Sequence, residues 1–352
     1  MFRIPVCHIY SIKKKYPRVS IIIPARNEEH NIKRLLDSVF KQPFTADEVI
    51  VVDDASSDRT GEIAQARGAT VIESKPLPPG WLGKTWACYQ GAQKAKGEVF
   101  IFLDADTTFE ENGLQKIMET YMHALEQSNS MRNVVLSLAP YHRVKKWYEE
   151  LSAMFNIIVL GSMNAFTPFK AIKTTGLFGP SLIVSRNNYF AVKGHESVKN
   201  RILENVFMAS KFREKNITLK CLGGRGSLSF RMYPGGIRDL INGWTKAFAS
   251  GSAQTSLSAL LPIIFWISGG FLISIFLVNS IIITQGIVYW VLLYTGFSLQ
   301  MYWMLKRIGN FKIISAFLFP IHLIFYCVIF FRSLIFQKLR KSSPWKSREV
   351  TS

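Results

Sequence analysis

From Leu257 to Leu305 the chain carries no charged residue. A helix that crosses a bilayer needs about 20 apolar residues. Two such runs fit here, about Leu257–Asn279 and Ile281–Leu305. A third, Ile313–Phe331, also lacks charge but holds Pro320 and His322. The chain therefore divides into a basic segment 1–18, a soluble domain 19–235, an interfacial helix 236–256, a membrane region 257–336 and a basic tail 337–352. The net charge of +19 follows this division. From Gly236 onward there are eleven Lys/Arg and only two Asp/Glu. They flank apolar runs, as at Lys306, Arg307, Lys312 and Arg332, which marks a cytoplasmic membrane face more simply than nucleic-acid binding. No RNP-type motif or zinc finger is present, so no nucleic-acid partner is expected. The start, "MFRIPVCHIYSIKKKYPR", lacks a signal-peptide apolar core, which predicts a cytosolic soluble domain. Two spans return the chain to the cytosol. The positive-inside rule then favours a re-entrant or interfacial third segment. Cys7, Cys88, Cys221 and Cys327 show no zinc or disulfide spacing and read as plain thiols.

The soluble part alternates apolar runs with helical patterns. "VSIIIPA" precedes a helix with Ile32, Leu35, Leu36 and Val39 on one face. "EVIVVDD" precedes a helix capped near Ser56 or Ser57. "ATVIES" is a short strand, and "KTWACYQGAQKAKG" a helix ending at Gly97. "EVFIFLDAD", "NVVLSLAP" and "SLIVS" are further strands. This alternation predicts an α/β fold with a mostly parallel sheet. Ligands bind such sheets beyond the carboxyl ends of the strands. The polar clusters Pro24–Glu28, Asp53–Asp58 and Asp104–Asp106 all fall there. Neither G-x-G-x-x-G nor a P-loop follows the first strand, which excludes the usual dinucleotide and NTPase motifs. The segment "WYEELSAMFNIIVLGSMNAFTPF" is either a core helix or part of an apolar acceptor groove.

A lone D-x-D is ordinarily a solvated strand end. Beside Asp53–Asp54 and at the end of a buried strand, Asp104 and Asp106 suit a hard cation, Mg²⁺ or Mn²⁺, shared with substrate phosphates. "SIIIPARNE", "VIVVDDASSDRT", "GKTWACYQGA" and "FLDADTTF", in this order, resemble family-two glycosyltransferases with the GT-A fold. "KGHESVKNRILENVFMA" and "FRMYPGGIRDLINGWTKAF", followed by spans, resemble the membrane-attached branch acting on isoprenoid lipids. The resemblance covers about Val19 to Ser342. It implies an inverting hexosyltransferase that uses a nucleotide sugar, such as UDP-glucose, and a lipid-soluble isoprenoid acceptor, such as a carotenoid acid. Association with enzymes of the same pathway is a further expectation.

The resemblance also implies residue roles. Pro24, Ala25, Glu28 and Asp54 line the nucleotide pocket, and Asp53 supports the turn. Lys84 meets phosphate or sugar, or else is a solvated lysine at a helix start. Asp104 faces the donor, and Asp106 is the more direct metal ligand. Gly243, Trp244 and Lys246 stand near the diphosphate and the acceptor, on an amphipathic membrane-surface helix with Ile237, Leu240, Ile241, Trp244 and Phe248 on one face. Arg231 clamps the diphosphate or pairs with an acidic turn. Gly179 and Pro180 shape the acceptor entrance. Relatives often place a catalytic base in a Glu-Asp pair; here it reads Glu204–Asn205. Either Glu204 serves, or a carboxylate acceptor, ionised at neutral pH, needs no base. His195, Lys199 and Arg201 then hold that carboxylate, or His195 is merely polar at a helix entry. Other readings stay open: a polyprenyl phosphate, hopanoid or diacylglycerol acceptor, or a non-catalytic nucleotide-binding scaffold.

Overall fold

The computed structural model describes residues 4–10, 15–127, 133–166, 174–251 and 256–339. The basic tail residues Arg340, Lys341, Lys346 and Arg348 lie outside the described residues, as do 252–255 of the expected interfacial segment. The chain forms two compact units. One takes in residues 4–141 and 174–230, and the other residues 142–166 and 231–339.

The first unit begins with β1 (Val19–Ala25), α1 (Glu29–Phe40), β2 (Glu48–Asp53), α2 (Thr60–Ala66), β3 (Thr70–Glu73), α3 (Gly83–Lys94) and β4 (Val99–Leu103). It continues with β5 (Thr107–Phe109), α4 (Gly113–Gln127), β6 (Val134–Ala139) and β7, which starts at Tyr141 and ends at His142. The main sheet has seven strands. β1 lies between β2 and β4, and all three are parallel. Continuous apolar strands such as β1 and β4 are buried on both faces, the condition under which parallel pairing is stable. Ile32, Leu35, Leu36 and Val39 of α1 are buried, as their spacing predicts. At Gly91 in α3 an added Cβ would sit 2.5 Å from Ile22 Cγ2 and 3.1 Å from Val52 Cγ2. The missing side chain is what lets this helix lie flat on β1 and β2.

Two local expectations are corrected. The helix after β2 starts at Thr60, not near Ser56. The Asp58 carboxylate accepts from Thr60 N at 3.0 Å and from its hydroxyl, so Asp58 serves the first turn. The α3 helix ends at Lys94, because Ala95 is extended. Gly97 N then donates to Ser20 Oγ at 2.8 Å, tying that turn to β1.

After α5 (Ala153–Ser162) of the second unit, the first unit resumes with β8 (Ser181–Ser185), α6 (Arg186–Ala191), α7 (Glu204–Glu214), β9 (Thr218–Gly223) and β10 (Leu228–Phe230). β8 runs antiparallel to β4, with Ser181 opposite Leu103. That reversal matters for the site. The chain enters β8 at the same sheet edge where β4 ends.

The second unit is helical: α5, α8 (Ile237–Gly251), α9 (Leu257–Ile282), α10 (Ile287–Ile308), α11 (Ile313–Phe317) and α12 (Phe319–Leu339). The third apolar run is thus split at Leu318 between α11 and α12. Pro320 falls in the first turn of α12, where its missing N–H costs nothing. Leu257–Ile282 and Phe319–Phe336 are long and apolar enough to cross a membrane. Only 6% of the apolar stretch of α9 is buried, with Phe265 74% exposed, so it is not the core helix of a water-soluble unit. The segment that begins "WYEELSAMF" does form core: a 3-10 turn, Trp147–Ser152, leads into α5, where Met154, Phe155 and Ile157 are buried.

Glu149 anchors this unit. Its side chain is fully buried and takes Arg231 Nη2 at 2.6 Å and Nε at 3.1 Å. Its other oxygen accepts from Lys145 N at 2.6 Å and Lys146 N at 3.2 Å. Burial opposes the ionised form, but Arg231 and the two backbone donors outweigh it and hold the carboxyl below its ordinary value. A lowered folded value contributes stability that is complete above the unfolded value of 4.5 and lost as pH falls through the folded one. Thermal unfolding of the purified chain should therefore weaken below about pH 4.5. Glu149→Gln should remove about 3–5 kcal/mol at neutral pH, because it strands Arg231 in a buried site, and should flatten that acid limb.

Candidate active site

The turns after β1 and β2 are stitched together by reciprocal hydrogen bonds. Asn27 N donates to Ser56 Oγ at 3.0 Å, and Ser57 N to Asn27 Oδ1 at 2.8 Å. Glu28 N donates to Thr60 Oγ1 at 2.8 Å. Asn27 and Ala55 both adopt left-handed backbone, φ 52° and 51°, a strain that accumulates at functional turns. Asp53 Oδ1 accepts from Ser56 N at 3.0 Å, so this acid holds the turn. Asp54 is 1% exposed, 3.9 Å from the Arg26 guanidinium. Pro24 and Ala25 close β1 at this edge, and Glu28 Oε2 accepts from Asn31 Nδ2 at 2.8 Å.

The end of β4 supplies the next carboxylates. Asp104 and Asp106 are half-buried and flank Ala105, which is buried. Thr107 closes the turn through its N–H and hydroxyl to Asp104 O, at 3.1 and 2.7 Å. Asp104 N donates to Pro180 O at 3.0 Å, which fixes the turn entering β8 against the D-x-D turn.

Lys84, the second residue of α3, reaches into this corner. Its Nζ lies 2.7 Å from Asp104 Oδ1 and 2.8 Å from Glu204 Oε1, and it donates to Gly179 O at 3.4 Å. Its side chain is 23% exposed and that of Glu204 only 5%. Lys84 is therefore not a solvated lysine. Burial disfavours its charge, but Asp104 and then Glu204 overcome this and raise its pKa well above the usual lysine value. Glu204 is raised, first by burial, against the pull of Lys84.

Asn205, beside Glu204, does something an aspartate cannot. Its Nδ2 donates to Phe178 O at 2.9 Å and Gly179 O at 3.1 Å. Two carbonyls facing one side chain demand a donor, and an ionised carboxylate has none. Lys84, Asp104, Glu204, Asn205, Gly179 and Pro180 thus come together, although they are scattered over more than a hundred residues of sequence.

Other expected site residues stand elsewhere. His195 is 2% exposed, packs edge-on to Phe102 at 4.9 Å, and has Nδ1 2.9 Å from the Tyr189 hydroxyl. Burial, helped by the nearby Lys84 charge, lowers its pKa to about 3, so it is neutral and cannot be the charged holder of an acceptor carboxylate. Lys199 contributes its backbone, accepting from Leu82 N at 2.9 Å and Thr85 Oγ1 at 2.8 Å to hold the start of α3. The Arg201 guanidinium stacks over Phe207 at 4.6 Å on the surface. Arg231 is committed to Glu149 of the 3-10 turn in the helical unit, so it meets neither the expected diphosphate role nor an acidic turn of the sheet. Trp244 is 4% exposed, stacks on Phe155 at 4.7 Å and donates to Ser152 Oγ at 3.0 Å, so its ring is packed inside its own unit. Lys246 is exposed on α8.

Residues 20–149 match the family described as Glycosyl transferase family 2. The chain is 32% identical over 337 residues, 95% of its length, to the 4,4'-diaponeurosporenoate glycosyltransferase of Staphylococcus aureus (strain USA300), of which the match covers 88%. It belongs to glycosyltransferase family 2. The corresponding protein of Staphylococcus haemolyticus (strain JCSC1435) is 37% identical over 255 residues, 71% of this chain and 66% of that protein. Among solved structures, glucosyl-3-phosphoglycerate synthase from Mycobacterium tuberculosis matches with TM-score 0.42 and 20% identity, over 68% of this chain and 80% of that one. Membership of that family, with the mostly parallel sheet already described, bears out the expected GT-A glycosyltransferase fold and hexosyltransferase class.

What the sequence reading missed in this glycosyltransferase is the partnering of Lys84 with Glu204 and the structural reason for Asn205. The signal available was the "GKT" at a helix start opposite two acidic turns. Asn205→Asp should lower the free energy of unfolding by about 1–3 kcal/mol for the two stranded carbonyls, and should lose transferase activity. Asn205→Ala, which adds no charge, should be the milder of the two in activity assays at neutral pH.

Proposed function

We propose that this glycosyltransferase moves glucose from UDP-glucose to the carboxylate of a membrane-soluble isoprenoid acid, forming a glycosyl ester with inversion. The observation that carries the reading is the Lys84–Asp104–Glu204 cluster at the carboxyl ends of β1, β2 and β4, the place where open α/β sheets bind ligands. The names of the staphylococcal relatives supply the acceptor class, a carotenoid acid.

In this reading Asp54 accepts the uracil N–H, with Pro24, Ala25 and Glu28 shaping the pocket and Asp53 keeping the turn. Asp106 and Asp104 would hold Mg²⁺ or Mn²⁺. Their carboxylate oxygens fit a hard cation, and among the described residues no three His, Cys, Asp or Glu gather into a closed metal site. When bound, such an ion would supply charge neutralisation for the leaving diphosphate. Lys84 adds a positive charge for the same anion.

The acceptor carboxylate oxygen attacks the anomeric carbon, the bond to the diphosphate breaks, and UDP leaves with the electron pair. No proton has to be removed from an ionised carboxylate. Glu204 then acts as the counter-charge that positions Lys84, and Asn205 keeps the Gly179–Pro180 turn at the acceptor side.

The membrane reading belongs to the same proposal. α9 and α10 form a hairpin that crosses and returns, leaving the catalytic unit cytosolic. α10 is less apolar than α9 or α12, and its Gln300 Oε1 accepts from Trp266 Nε1 of α9 at 3.1 Å within the hairpin. Lys306 and Arg307 end α10 on that side. α12 lies at the interface: a third of its apolar stretch is buried, Phe248 of α8 packs on its Tyr326 and Phe330, and Arg332 donates to Asn242 Oδ1 at 3.0 Å. Pathway enzymes on the same membrane are the natural partners. A polyprenyl phosphate acceptor is the second reading, favoured by the same cationic, membrane-attached arrangement.

Incubation of the full chain with UDP-glucose, Mn²⁺ and a polyene carboxylic acid should give a hexosyl ester by mass spectrometry. Lys84→Met should lower turnover by about a hundredfold or more, the usual loss of a transition-state anion donor. Glu204→Gln should keep measurable transfer across the pH range. Loss of all transfer in Glu204→Gln with donor and acceptor binding intact would make Glu204 the base. A hexosylated polyprenyl phosphate with no ester would replace the acceptor assignment.

A further inference from the structure

The stretch 143–147, which leads into the 3-10 turn and ends on its first residue, belongs to the matched transferase region in sequence yet sits in the helical unit in space. It runs alongside the link between α10 and α12. Val144 N donates to Asn310 Oδ1 at 2.6 Å, and Asn310 Nδ2 returns a bond to Val144 O at 3.0 Å. Asn310 N donates to His142 O at 3.1 Å. Glu150, 8% exposed, accepts from Ser315 Oγ at 2.6 Å and Lys312 N at 3.3 Å, so it caps the start of α11. These bonds lock the two stretches side by side.

Both stretches expose the same unusual mixture of residues. Trp147 is 74% exposed, although its neighbours Tyr148 and Glu149 are buried. Lys145 and Lys146 are exposed beside it. Across the link, Ile313 and Ile314 are 50% and 54% exposed, next to exposed Lys312. Exposed indole and isoleucine among lysines is the composition of a bilayer interface, where Trp sits at headgroup level and Lys meets anionic lipid. The link follows α10 directly, so this face is continuous with the proposed membrane hairpin.

We infer that the 145–147 stretch and the 312–314 stretch together form a docking surface for anionic phospholipid headgroups, with Trp147 inserted at the interface. This rests on the membrane reading above. It adds a contact between the bilayer and a segment more than a hundred residues before the first span. The tight Asn310 and Glu150 bonds make that contact rigid. The surface would hold the segment leading to the Arg231–Glu149 pair at a fixed depth.

The test uses the full chain in lipid nanodiscs of phosphatidylcholine, with or without phosphatidylglycerol. A polarity-sensitive fluorophore is placed at Trp147→Cys, with Phe265→Cys on α9 and Glu62→Cys on α2 as references, all in a Cys327→Ser background. The fluorophore at 147 should emit in the blue relative to that at 62 and be quenched by headgroup-labelled lipid, more so with phosphatidylglycerol. Lys145→Gln and Lys146→Gln should each lower the phosphatidylglycerol-dependent part by about fivefold. Water-like emission at 147 with lipid-like emission at 265 would overturn this inference alone. Water-like emission at 265 as well would overturn it together with the membrane reading.

Discussion

The site depends on one lysine held between two carboxylates. Lys84 is pinned by Asp104 and Glu204 in a corner where each charge is poorly hydrated. A buried charge without a partner is expensive, and removing one member of such a pair costs far more than the pair contributes. The three residues are therefore mutually obligatory. They fasten the start of α3, the end of β4 and the start of α7 to one another. One positive and two negative charges leave the cluster with a surplus of negative charge. Such a corner welcomes a divalent cation, and a diphosphate that brings one offers Lys84 another anion to meet.

Asn205 shows how local chemistry can displace a familiar pattern. A second acid next to Glu204 would face the Phe178 and Gly179 carbonyls, and repulsion would open the turn that enters β8. The amide turns that liability into two hydrogen bonds. The same turn supplies Pro180 O to Asp104 N. The residue that breaks the Glu-Asp pattern thus supports the D-x-D turn at one remove. In the proposed reaction an acceptor carboxylate, already ionised, needs no second acid.

Much of this architecture is legible in the sequence. Buried strands read as unbroken apolar runs in β1, β2 and β4, and the acidic turns at their ends follow from the parallel arrangement. The uncharged stretch after Leu257 announces α9, long and apolar enough to cross a membrane. Three things are not legible. The antiparallel insertion of β8 between β4 and β6 brings Gly179–Pro180 to the site, and no local pattern encodes that pairing. The Glu149–Arg231 pair joins residues 82 apart, and its geometry emerges only once residues 142–166 leave the sheet unit for the helical one. His195 looked like a charged ligand because its type suits that role. Burial against Phe102 and Tyr189 makes it a neutral packing residue instead. Two helix ends also fall a few residues from where the pattern predicts them, since Ala95 turns extended and Asp58, rather than Ser56 or Ser57, accepts from the first turn of α2.

The most direct test is a structure of the full chain with UDP and Mn²⁺ bound. The account predicts the uracil against Asp54 and the Pro24–Glu28 turn, the ion on Asp106, and Lys84 Nζ within hydrogen-bond reach of a diphosphate oxygen. UDP bound away from the Asp54, Lys84 and Asp106 corner, or a Lys84 that keeps both carboxylates and ignores the diphosphate, would contradict it.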